Sequence, residues 1–303
     1  MVYDRAMSGS VEAAVKVGMI GLGVMGHPMA SHILRSGSAV HITGRTPEKY
    51  GDLMEAGAIW HSTPRSLADA VSVMVLMLPD LPQVEDVLAG SDGILAGSFS
   101  DLLLIIASTS SPIEVRRLGR RLARETDGRV RVIDAPVSGG SEGAQAGTLS
   151  IMVGGEERDV NDAWSVLVAC GNPVHLGPLG SGQVAKACNQ MIVAATILAL
   201  GEAAVLADRS GIDLDQLFRL LAGGYAGSRI LETRGDRIVR EDYTPSGAAR
   251  YLVKDLGFAA TLAQATGTRT VLLPVLNAAF EELTEQGYGD HDIAVTRRYI
   301  AQR

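Results

Sequence analysis

The chain has 303 residues, 47% hydrophobic and 20% charged, which suits about two domains of roughly 150 residues and excludes a disordered polymer. Lys and Arg number 27 against 34 Asp and Glu, a formal net charge of −7, and aromatics make up 4%, which argues against a polyanion binder or a base-stacking sheet. Two cysteines, Cys170 and Cys188, cannot build a disulfide framework and read as free thiols of a cytoplasmic protein.

Residues 1–16, MVYDRAMSGSVEAAVK, lack the apolar core of a secretory signal and read as a flexible N-terminal extension. From residue 17, short apolar runs alternate with helix-like segments: VGMI (17–20), AVHI (39–42), VSVMVLML (71–78), LLLIIA (102–107), VRVI (130–133) and LSIMV (149–153). Near-continuous apolar runs predict strands buried on both faces. Helical stretches between the early runs predict βαβ units and a parallel sheet. The later runs have short links, which leaves antiparallel pairing at one edge open.

After about Gly180 the strand pattern fades. Residues 181–209 predict one long helix, apolar almost all round and so buried on most sides, with Gly211 closing it as a C-cap glycine. Its most apolar stretch, 191–206, contains Gly201 and Glu202. A spanning helix needs about 20 apolar residues, so a soluble chain without a membrane partner is expected. Helical periodicity continues over 213–222, 227–239, 248–265, 272–286 and 291–301. The organisation expected is an α/β domain over 17–178 and an all-helical C-terminal domain over 179–303, with the boundary in LGPLGSG.

Residues 21–26, GLGVMG, directly follow the first apolar run and precede the helical PMASHILRSG. In this strand–turn–helix setting the G-x-G-x-x-G spacing reads as a dinucleotide loop. Gly21 permits the tight turn, Gly23 lets a pyrophosphate reach backbone N–H groups, and Gly26 allows close helix–strand packing. Leu22, Val24 and Met25 complete the loop. A βα turn without a ligand is the alternative. The second strand ends HITGRT, with Gly44 where an acid for the ribose hydroxyl is expected. Arg45 and Thr46 follow it, so a guanidinium stands ready for a 2′-phosphate. NADP is therefore favoured, with NAD as the alternative.

Residues 134–155 read DAPVSGGSEGAQAGTLSIMVGG. Ser138, Gly139 and Gly140 offer one hydroxyl and two unobstructed backbone N–H groups, a loop able to bind a carboxylate; an ordinary glycine turn is the alternative. Four ordered blocks, GLGVMGHPMA (21–30), DAPVSGG with GTLSIMVGG (134–155), GSGQVAKACNQ (180–190) and KDLGFA (254–259), together resemble the β-hydroxyacid dehydrogenases. That family includes 3-hydroxyisobutyrate dehydrogenase, tartronate semialdehyde reductase and, more distantly, 6-phosphogluconate dehydrogenase. The resemblance covers about 17–300. It implies an α/β Rossmann domain followed by an all-α C-terminal domain, joined by a long interdomain helix.

The resemblance also implies roles. Ser138, Gly139 and Gly140 would hold the substrate, and Lys186 would be the general acid/base. Asn189 and Gln190 would offer the amide for the substrate hydroxyl. Lys254, Thr109 beside Ser108, and Leu78 and Pro79 before Asp80 would line the cofactor. Ile106 replaces the acid that the family carries two residues before the serine. The implied reaction joins a short 3-hydroxy acid to its semialdehyde. Such chemistry needs a hydride at carbon and a proton at oxygen. A lysine cycling near neutrality needs a pKa lowered from about 10.4 toward about 7–8, by burial or a second cation such as Lys254. An imine reductase on the same architecture usually carries Asp or Tyr at the place of Lys186. A non-catalytic dinucleotide-binding module would not need that lysine. No His/Cys cluster has metal spacing, so no metal is expected. The expected partners are a small carboxylate substrate and further copies of the chain, as homodimer or homotetramer; nucleic acid is not expected.

Overall fold

The computed structural model describes residues 15–303. Of the expected N-terminal extension, 1–14 lie outside the described residues, and Lys16 is not part of an extension: it opens the first strand. Six strands, β1 (Lys16–Ile20), β2 (Ala39–Thr43), β3 (Ile59–Trp60), β4 (Val73–Leu76), β5 (Leu102–Ile106) and β6 (Val130–Asp134), form one sheet in the order β3-β2-β1-β4-β5-β6. Every neighbouring pair is parallel. The connections carry α1 (Gly26–Arg35), α2 (Gly51–Glu55), α3 (Pro64–Ala68), α4 (Leu81–Leu88) and α5 (Pro112–Glu125).

The two faces of this sheet explain the unbroken apolar runs. Val17, Met19, Val73, Val75, Leu103 and Ile105 pack into one cluster. Their strand neighbours Ile20, Met74, Leu76, Leu102, Leu104 and Ile106 pack into another. Alternate side chains point to opposite faces, and both faces are covered by helices. Ile106, where the family carries an acid, is fully buried in the second cluster.

The antiparallel pairing left open at one edge belongs to a separate sheet. After β6 come β7 (Val137–Ser138), α6 (Gly140–Ala146), β8 (Leu149–Val153), α7 (Glu157–Cys170) and β9 (Gly171–His175). They form a sheet of order β7-β8-β9, with β7 antiparallel and β9 parallel to β8. The run 130–133 instead joins the main sheet, because α5 is long enough to return the chain parallel to β5. β3, β7 and β9 escape the apolar pattern: two of them have two residues, and β9 reads GNPVH.

The helical domain contains α8 (Ser181–Arg209), α9 (Leu214–Ala222), α10 (Arg229–Arg240), α11 (Arg250–Thr266), α12 (Leu272–Leu283) and α13 (Thr296–Ala301). Its core is one cluster centred on Ile197, Leu200, Ala204, Leu256, Phe280 and Tyr299. Helix α8 ends in a Schellman motif: Gly211 takes φ +74°, its N–H donates to the Asp208 carbonyl, and the Ile212 N–H donates to that of Ala207. Helix α8 is buried or half-buried on most sides, as expected, and leaves one stripe open. Ile192 and Leu206 are 62% and 71% exposed, and Ala199 midway between them is also exposed. Spacings of seven residues place the three on one face of the helix, opposite the face that packs into the domain core.

Candidate functional site

The first half of the site is backbone. Strand β1 stops at Ile20 and the chain turns at Gly21, whose φ is +96°. A β-carbon there would lie 2.1 Å from the Met77 carbonyl oxygen, and one on Gly26 would lie 2.0 Å from the Gly21 carbonyl oxygen. Both positions therefore require glycine. Gly23 differs: a β-carbon there meets nothing within 4 Å, so its bareness serves the space outside the protein. Helix α1 begins here with no acidic residue in its first turn, which leaves its positive end available to an anion. A cleft of about 910 Å³ opens over this turn, lined by Leu22, Gly23, Val24 and His27, by Lys49 and Tyr50, and across the gap by Ser141, Pro245 and Ser246. Size, open glycine and helix end fit a dinucleotide diphosphate. Met25 is half-buried beside the loop, and Arg45 and Thr46 follow the end of β2, Arg45 exposed. Gly44 is held against the Tyr50 ring, 3.0 Å from the position of its missing β-carbon.

The second wall is the chain after β4 and β5. The Leu78 N–H donates to Ser108 Oγ at 3.0 Å, with Pro79 next in the chain. Asp80 caps α4 by accepting from the Leu81 N–H at 2.7 Å. Gln183, 1% exposed, grips the loop from α8: its Nε2 donates to the Ser108 carbonyl at 2.7 Å and its Oε1 accepts from the Ser110 N–H at 2.9 Å. Between these two residues stands Thr109, whose carbonyl accepts from Lys254 Nζ at 2.8 Å.

The third part is made of side chains from both domains. Ser138 Oγ lies 3.4 Å from Asn189 Oδ1, Asn189 Nδ2 donates to Gln190 Oε1 at 2.9 Å, and Gln190 Nε2 donates to Asp255 Oδ2 at 2.6 Å. Lys254 Nζ then donates to Asp255 Oδ1 at 2.9 Å and sits 4.8 Å from the centroid of the Phe258 ring. A continuous polar chain thus runs Ser138–Asn189–Gln190–Asp255–Lys254–Thr109. Lys186 stands one turn before Asn189 on α8 and is 7% exposed. Among the described residues its ammonium has no hydrogen-bond or ion-pair partner. Burial pulls its pKa down to about 8; the Asp255 charge pushes up against this, and the Lys254 charge adds to the lowering. Gly139 and Gly140 take φ +135° and +66°, conformations that glycine adopts without cost.

The junction between the domains explains the glycines before Lys186. Asp134, fully buried at the end of β6, accepts from the Gly180 N–H and the Gln183 N–H, each at 2.6 Å. It caps the start of α8 from a different domain. Gly182 must pass so close that a β-carbon would lie 2.1 Å from the Met152 carbonyl oxygen and 2.8 Å from the Asp134 carboxylate. Burial raises the Asp134 pKa to about 6, opposed by the two backbone donors.

The structure brings Lys186, Ser138, Asn189, Gln190, Lys254 and Thr109 together, although they span 146 positions of the chain. Sequence reasoning gave no role to Asp255, Gln183 or Asp134. Asp134 and Asp255 carry a signal, an acid set directly against apolar residues; Gln183, among Ser181, Lys186, Asn189 and Gln190, carries none. Among the described residues no group of three or more His, Cys, Asp or Glu could hold a metal.

Two family models divide the chain at residue 180. One, described as the NAD binding domain of 6-phosphogluconate dehydrogenase, matches residues 16–180; the other, described as NAD-binding of NADP-dependent 3-hydroxyisobutyrate dehydrogenase, matches 180–300. The chain is 39% identical over 252 residues to 2-hydroxy-3-oxopropionate reductase of Escherichia coli, covering 83% of this chain and 85% of that protein. It is 33% identical over 294 residues to the NAD-dependent L-serine dehydrogenase of Pseudomonas aeruginosa, covering 93% and 97%. A solved structure of 3-hydroxyisobutyrate dehydrogenase from Salmonella typhimurium superposes with a TM-score of 0.84 at 29% identity, covering 94% of this chain and 99% of the other.

Proposed function

The chain belongs to the β-hydroxyacid dehydrogenase family of NAD(P)-dependent oxidoreductases, and we propose that it interconverts a short 3-hydroxy acid and its semialdehyde, with NADP(H) as cofactor and Lys186 as general acid/base. The observation that carries this reading is a buried lysine whose pKa falls to about 8, next to the Ser138–Asn189 contact. The nicotinamide, when bound, supplies or accepts the hydride. In reduction the Lys186 ammonium stabilises the charge developing on the carbonyl oxygen and then donates its proton there. In oxidation the neutral amine takes the hydroxyl proton. Reduction should therefore be fastest below about pH 8 and fall above it, and oxidation should show the opposite slope.

Ser138, Gly139 and Gly140 are the site for the substrate carboxylate in this reading, and Asn189 with Gln190 presents amide groups to the hydroxyl. Gly21 to Gly26 hold the diphosphate. Arg45, with no acid at the end of β2, selects the 2′-phosphate of NADP. Loss of that charge-assisted contact in Arg45→Ala should weaken NADPH by about 10- to 100-fold and leave NADH unchanged. Equal affinities of the native protein for the two cofactors would end the preference.

The reading takes α8 as the core helix of a soluble cytoplasmic enzyme. Its exposed positions Ile192, Ala199 and Leu206 support a second copy of the chain as the partner, so light scattering should give a dimer or tetramer. The deciding experiment is initial-rate measurement with NADPH and NADH against tartronate semialdehyde, glyoxylate, succinic semialdehyde and methylmalonate semialdehyde. Turnover of none of them would overturn the reading.

A further inference from the structure

Beyond Lys186, Lys254 and the serine–glycine loop, one more cation reaches the substrate end, and like the two lysines it comes from the helical domain, opposite the loop. Arg234 lies on α10 and is 9% exposed. Its Nη1 donates to Glu142 Oε1 and to the Thr233 carbonyl, each at 3.1 Å, and its Nη2 donates to Ser246 Oγ at 3.2 Å. Its Nε lies 3.4 Å from Asp292 Oδ1, within ion-pair range but misaligned, and has no hydrogen-bond partner.

The two acids beside Arg234 are unlike. Asp292 is fully buried and has other partners: Ser246 Oγ donates to it at 2.5 Å, the Ala294 N–H at 3.0 Å, and Arg237 Nη1 stands 3.5 Å away. It does not depend on the Nη edge of Arg234. Glu142 belongs to α6 of the α/β domain, its side chain is half exposed, and Arg234 is among the groups that hold its pKa below the usual carboxylate range, against burial as the largest influence. Glu142 is thus a replaceable partner on the outer edge of the guanidinium.

That edge overlies the substrate loop. A β-carbon built on Gly140 would lie 2.7 Å from a Glu142 carboxylate oxygen and 3.8 Å from Arg234 Nη2. A carboxylate resting on the Gly139–Gly140 backbone would occupy this space and meet the guanidinium in place of Glu142. The planar fork of arginine suits a carboxylate, taking both oxygens at once.

We propose that Arg234 is the specificity-determining cation of the substrate end: it binds the carboxylate of the hydroxy acid across the domain gap, and Glu142 occupies it until that carboxylate arrives. The inference rests on the carboxylate site assigned above to Ser138–Gly140. It predicts effects of opposite sign for the two members of one ion pair, whereas a merely structural strap would lose from either side.

The test measures dissociation constants of 3-hydroxyisobutyrate and of its neutral amide for the full-length protein loaded with NADP. Arg234→Met should weaken the acid by about 10- to 100-fold, the worth of a charge-assisted contact, and the amide by less than about threefold. Arg234→Lys keeps the charge without the fork and should fall between native and Met. Glu142→Gln should tighten the acid by about three- to tenfold and leave the amide unchanged. Its site is half exposed, so the Gln variant keeps the test usable if the Met variant does not fold. Acid and amide weakening together in either Arg234 variant, Glu142→Gln weakening the acid, or the native protein binding neither ligand would each overturn the assignment. Reduction of the semialdehyde panel is scored separately: turnover with these outcomes retains the proposed reaction and removes Arg234, whereas acid-selective binding without turnover retains Arg234 and removes the reaction.

Discussion

The two ends of the cleft are built from different materials. At the cofactor end three glycines within six residues shape a turn, and the ligand-facing groups are backbone N–H groups and a helix end. At the substrate end the working groups are side chains drawn from β7, from α8 and from α11, tied to a backbone carbonyl of the loop after β5. The first arrangement lies almost wholly within the α/β domain, with Pro245 and Ser246 reaching over it from the helical domain. The second exists only when the two domains are docked, because Ser138 and Thr109 belong to one and Asn189, Gln190, Asp255 and Lys254 to the other. Loosening the junction should therefore erode turnover before it erodes cofactor binding.

Lys186→Ala tests this separation with the largest expected effect. Its kcat should fall by about 10²- to 10⁴-fold, the usual worth of a positioned proton donor, while a fluorescence titration shows NADPH binding unchanged. A variant that folds, binds cofactor and keeps more than about a tenth of native kcat would move the proton donor elsewhere, with Lys254 next in line. Gly23→Val is the mirror experiment. A side chain there meets open space, so Tm should stay at the native value while NADPH affinity falls by about 100-fold, as one or two charge-assisted contacts are lost. A large drop in Tm would show that the glycine serves packing instead.

Asp255→Asn sharpens the substrate end. The Asp255 charge holds the Lys186 pKa up against burial, so its removal lets that pKa drop further. The alkaline fall in reduction rate, expected near pH 8, should begin about one pH unit lower, as a profile of kcat against pH will show. The smallest effect belongs to the cofactor domain. His41 and His61, 2.8 Å apart on β2 and the residue after β3, both have pKa values lowered from 6.5, chiefly by burial. A lowered histidine pKa favours the neutral folded form, so this stability is present above pH 6.5 and is lost as pH falls through the folded values. Tm should drop by a few degrees between pH 7 and 5, and His61→Gln should flatten that drop.

The difference in materials also decides what the sequence discloses. The G-x-G-x-x-G turn, the buried parallel strands and the whole of α8 were legible, because each depends on neighbours a few residues away. Lys186 and Lys254 are marked by family resemblance alone and Ser138 also by its own glycine loop, since nothing local ties position 138 to position 186. The roles of Gln183 and Asp134 are not legible in their own segments, because their partners are backbone groups of distant ones. Arg234 and Glu142 gave no signal at all: 92 positions separate them, and each looks like an ordinary charged residue of a helix. The open stripe on α8 at Ile192, Ala199 and Leu206 is illegible for a related reason. An all-round apolar helix tells how much surface wants covering, and it does not tell whether the cover comes from the same chain.

Tyr50, described above as a wall of the cleft, has an optical consequence. Its ring stacks on Trp60 with centroids 6.1 Å apart, and Trp60 and Trp164 are the two tryptophans of the chain. Both belong to the α/β domain; residues 181–303 contain none. Tryptophan emission is therefore a private reporter of one domain, with Trp60 adjacent to the arriving nucleotide. Far-ultraviolet circular dichroism is weighted toward the helices of the other. The gap between the two unfolding midpoints, with and without cofactor, would measure how tightly the melting of one core is yoked to that of its neighbour.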